Sequence, residues 1–90
     1  MRKINLIAVA VLSSGLMAGA AHAETFASNM GGCNHAASAV RDAIAANAQS
    51  ANLADAQKEQ GLGRDFCGNQ FYERGVQHYQ KALSLLSGKS

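Results

Sequence analysis

Apolar residues follow two different patterns along this chain. From Ile4 to Leu12 they run together (INLIAVAVL), whereas from Asn34 onward they recur at intervals of three and four. The contiguous run follows Arg2 and Lys3, loosens into small residues from Ser13 to Ala20, and meets Ala21-His22-Ala23, which fits the A-x-A cleavage pattern of a secretory signal. It is too short for a membrane span, which needs about 20 apolar residues. Residues 1–23 therefore read as a signal peptide and Glu24 as the first residue of an exported protein, periplasmic or secreted. Glu24 to Gly32 (ETFASNMGG) has no periodicity and ends in a glycine pair. Residues 24–33 are thus expected to form a flexible N-terminal arm.

The spaced pattern predicts three helices. Ala37, Val40, Ile44 and Ala48 place one over 34–48, with Asn34 as its cap. Leu53, Ala56, Leu62, Gly63, Phe66 and Cys67 place a second over 52–67. Tyr72, Val76, Tyr79, Ala82, Leu83 and Leu86 place a third over 71–87, followed by a polar tail at 88–90. Gly61 and Gly63 are poor helix formers, so their presence, like that of Gly75, implies that another backbone comes close. Gly68-Asn69-Gln70 reads as the bend between the second and third helices, with glycine taking the left-handed conformation. Phe71 falls off the main stripe and is expected at the surface.

The stretch Asn47 to Asn52 (NAQSAN) holds neither Gly nor Pro and fits either a continuous helix or a turn. The cysteines bear on this. Export and an even count, Cys33 and Cys67, point to a structural disulfide. One helix from 34 to 60 would be about 40 Å long at 1.5 Å per residue, which separates sulfurs whose α-carbons must lie about 4.4–6.8 Å apart. A turn near 48–51 brings them together. The fold expected is a small all-α, disulfide-stapled, three-helix antiparallel bundle, residues 34–87. The bridge closes a loop of about 35 residues, worth roughly 3–4 kcal/mol, and a domain this small needs such a staple.

Charge narrows the partners. After residue 23 the bases Arg41, Lys58, Arg64, Arg74, Lys81 and Lys89 balance the acids Glu24, Asp42, Asp55, Glu59, Asp65 and Glu73. A neutral, interspersed surface offers no grip on nucleic acid or anionic lipid, and no stable membrane insertion is expected once the signal is removed. Gly31-Gly32-Cys33 has some likeness to a lipidation site. The polar stretch Glu24 to Asn29 separates it from the apolar run, which argues against an anchor.

Residues 59–87 resemble a single degenerate tetratricopeptide-repeat hairpin, whose pattern is W-x₂-L-G-x₂-Y…A-x₃-F…P. Here it reads Glu59-x₂-Leu62-Gly63-x₂-Phe66, then Gly75-x₃-Tyr79, then Ser87. Leu62 and Gly63 match outright and Phe66, Gly75 and Tyr79 are conservative, while Glu59 and Ser87 depart. The resemblance implies a hairpin packed through Leu62, Gly63, Phe66, Tyr72, Gly75, Tyr79, Ala82 and Leu86, and a role in holding peptides.

No acid/base pair, nucleophile constellation, phosphate loop or zincin motif is present, so no enzymatic activity and no cofactor are expected. His78 reads as a partly exposed surface histidine. The function expected is a non-catalytic interaction module with a protein or peptide partner. One alternative is a copper-type metal-binding or thiol-redox protein using Met30, Cys33 and His35, soft ligands close in sequence. Another is a self-assembling structural protein, should the helices leave an apolar face uncovered.

Overall fold

A computed structural model describes residues 25–88; the signal reading at 1–23 and the last two residues of the polar tail lie outside the described residues. Three helices follow one another, α1 (Met30–Ala46), α2 (Leu53–Gly68) and α3 (Tyr72–Leu86), with no strand among the described residues. Cys33, near the start of α1, is bonded to Cys67, near the end of α2, with α-carbons 6.2 Å apart. At the opposite pole the Asn52 side chain donates to the Leu85 carbonyl at 3.0 Å, tying the α1–α2 turn to the end of α3. The chain therefore runs up, down and up, and the expected bundle is present.

The first helix begins four residues before the expected position. Asn29, not Asn34, is its cap: its backbone is extended and its side chain accepts from the Gly32 amide at 2.8 Å. Gly31 and Gly32 enter the first turn instead of stopping the helix. Gly32 is buried where the Ala27 backbone crosses it, and a β-carbon there would collide with the Ala27 carbonyl. That crossing carries Phe26 into the core. So residues 30–33 are helix, and the stretch read as a flexible arm supplies a core side chain. Gly32 serves contact, which a propensity argument scores only as helix breaking.

Asn47 to Asn52 does turn, through its polar side chains. Asn47 Nδ2 donates to the Ala43 carbonyl at 2.7 Å, ending α1, and Ser50 Oγ accepts from the Asn52 amide at 3.0 Å. The Ser50 amide in turn donates to the Asn47 carbonyl at 2.9 Å. These bonds offer the backbone an alternative to helix continuation.

Phe26, Cys33, Ala36, Val40, Ala56, Val76, Tyr79, Ala82 and Leu86 form the core. In α1 its central line is Cys33, Ala36 and Val40; Ala37 and Ile44 flank it, and Ala48, expected inside, is exposed beyond the helix. In α3 the expected stripe holds. Between α2 and α3, a β-carbon on Gly63 would sit 2.8 Å from the Tyr79 ring. One on Gly75 would strike the Cys67 sulfur and come within 3.0 Å of the Gly63 carbonyl oxygen. The helices thus cross backbone to backbone, with the Tyr79 ring laid over Gly63. Gly61 does not share this role, since a β-carbon there would meet only the Arg64 guanidinium at 3.7 Å.

Candidate functional site

The bend at the disulfide pole shapes the surface beside it. The Phe71 amide donates to the Phe66 carbonyl at 2.8 Å and the Gln70 amide to the Cys67 carbonyl at 3.1 Å. This is the paired pattern of a Schellman ending. The left-handed position belongs to Gln70 (φ 70°) and not to Gly68, which remains helical. Such an ending favours an apolar contact between the residues it brackets. Here Phe66 and Phe71 meet edge to face at 6.2 Å between ring centres. The contact holds Phe71 in place while leaving it 58% exposed, as its position off the stripe predicts.

Phe66, expected in the hairpin core, instead joins an array outside it. Glu59 and Phe66 lie seven residues apart on α2 and so share a face. Phe71, Arg74, His78 and Lys81 make the facing stripe at intervals of three and four. The His78 ring stacks on Phe66, 5.3 Å between centres and 5° from parallel, and the Arg74 guanidinium lies 5.8 Å over the same ring. His78 Nδ1 lies 2.6 Å from a Glu59 carboxylate oxygen, and Lys81 Nζ lies 3.6 Å from the other.

The Glu59 side chain is only 12% exposed. The hydrogen bond from His78 holds its pKa below the ordinary 4.5 against the opposing effect of burial, with Lys81 helping. An ionised carboxylate can only accept, so Nδ1 carries the proton that is donated. His78 is partly exposed, as the sequence reading has it, but that reading gave it no partner. The signal it lacked was the Glu59–Phe66 pair on the facing helix. Leu62, also expected in the hairpin packing, is half-buried and outside the core cluster.

Beside the array, Ser28, Gln70, Phe71, Tyr72, Glu73 and Arg74 line an open groove of about 380 Å³. Its volume is at the low end for a small-molecule site, and sites of that kind enclose most of their ligand. An open trough of this shape suits a side chain or two of another macromolecule better than a buried small molecule.

The Met30, Cys33 and His35 cluster reads differently once folded. The Cys33 sulfur is bonded to Cys67 and faces the Tyr72 carbonyl oxygen at 3.8 Å, so the oxidised protein has no thiolate to offer a metal. Met30 and His35 are exposed. Among the described residues no group of three His, Cys, Asp or Glu side chains is placed to hold an ion.

Fold and surface together define a class: a disulfide-stapled three-helix bundle carrying a cation–aromatic platform on its α2–α3 face. No protein family, no curated protein and no solved structure matches the chain.

Proposed function

We propose that this chain is a small exported, non-catalytic interaction module that engages a protein or peptide segment through the α2–α3 bend. The observation carrying the reading is the exposed Phe71 ring, fixed on Phe66 and flanked by Arg74 beside an open groove. A rigid aromatic beside a planar cation is the composition that anchors interfaces, because it supplies contact area with little conformational entropy left to lose. The resemblance of residues 59–87 to a peptide-holding hairpin supports the same reading. The N-terminal signal pattern and the paired cysteines support export.

A photo-crosslinking residue at position 71, compared with one at exposed Lys58 on α2, tests the proposal in cells. A discrete adduct from 71 and none from 58 is expected. Equal labelling from both positions, or none from either, would contradict it.

A further inference from the structure

We propose that the surface around Phe71 pairs with the same surface on a second copy of this chain. The inference rests on the interaction-module reading and names its partner. Among the described residues, Phe71 and Met30 are the exposed large apolar side chains. Met30 lies three residues before Cys33 and Phe71 four after Cys67, so the disulfide puts both at one pole.

Glu73 and Arg74 line the groove with Phe71, and both are exposed. Among the described residues neither takes part in an ion pair; the carboxylate on this face that is paired is Glu59. An acidic partner segment would satisfy Arg74 and oppose Glu73, and a basic one would do the reverse. A second copy satisfies both. About a two-fold axis each surface meets itself, so whatever Glu73 contacts on the partner contacts Glu73 in return. Phe71 then faces the partner's Phe71, while Glu73 faces the partner's Arg74 and Arg74 the partner's Glu73. The balance of charge from Glu24 onward leaves no net repulsion between copies. The groove is small, so the pairing is weak, reversible and concentration-dependent, at the low end of specific interfaces.

Sedimentation equilibrium of the oxidised protein at low salt tests this, with circular dichroism confirming that each surface variant is folded. The weight-average mass should rise with concentration toward twice the monomer value. E73R alone and R74E alone should each abolish the rise. The double swap E73R/R74E should restore it, and so should an equimolar mixture of the two single variants, because each places unlike charges in contact again. A wild-type protein that stays monomeric into the millimolar range would overturn the proposal. So would single variants that associate like the wild type, or a double swap and a mixture that both fail to recover. If the wild type is monomeric while position 71 still captures a different protein, self-pairing fails and the interaction-module reading stands.

Discussion

Gln70 holds the one left-handed non-glycine backbone among the described residues. The steric cost of that conformation for a residue with a β-carbon is roughly 1–2 kcal/mol, partly offset by the entropy a glycine loses on folding. Gln70→Gly should therefore stabilise the protein by about 0.5–1 kcal/mol in urea unfolding; a loss of stability would contradict the Schellman geometry. Two helical glycines make a sharper contrast. Gly75→Ala should destabilise by about 1–3 kcal/mol, because its β-carbon strikes the Cys67 sulfur in a packed seam. Gly61→Ala should stabilise by about 0.5–1 kcal/mol, because its β-carbon meets only a mobile guanidinium. Sequence alone ranked Gly61 with Gly63 and missed Gly32, since propensity is the same for every glycine and only the neighbouring chain distinguishes them.

At the scale of the element, the α2–α3 face joins a charge network to an aromatic one. His78 belongs to both, stacked on Phe66 and bonded to Glu59. The Glu59 pKa is lowered in the folded protein, so its contribution to stability is fully present above the ordinary 4.5 and is lost as pH falls through the lowered value. Urea midpoints taken from about pH 6 down to about pH 3 should fall for the wild type and fall less for Glu59→Gln. Parallel curves for the two would remove Glu59 from the acid response. Tyr79 acts at the other end of the scale. Burial raises its pKa above the ordinary 10.0, against Arg64 and Arg41. Its neutral form is favoured by folding, and that contribution should be lost as pH rises through the raised value. Helical periodicity on α3 located Val76, Tyr79, Ala82 and Leu86 correctly in the core. On α2 the same periodicity put Phe66 inside, because pairing across helices, which periodicity does not register, decides whether an aromatic at the stripe's edge turns inward or out.

At the scale of the molecule, the disulfide and the turn at 47–52 depend on each other. An even cysteine count behind a signal-like N-terminus suggests the pair, the pair requires the reversal, and the polar side chains of Asn47 and Ser50 build it. The position of the N-terminal segment was not legible. Its placement comes from the Asn29 cap and the Ala27–Gly32 crossing, and Phe26 enters the core without any repeating pattern. A single small core rarely supplies more than about 3–5 kcal/mol, and the loop of about 35 residues is worth roughly 3–4 kcal/mol. Cys33→Ala/Cys67→Ala should therefore lose most of its helical circular dichroism at physiological temperature; unchanged thermal unfolding would mean the packing suffices alone.

The platform depends on Phe66 facing outward as its base rather than inward as core. Nuclear Overhauser contacts from the Phe66 ring decide this in the oxidised protein. Cross-peaks to both His78 and Phe71 are predicted; cross-peaks to Val40 and Ala56 in their place would contradict it, leaving Phe71 without its support.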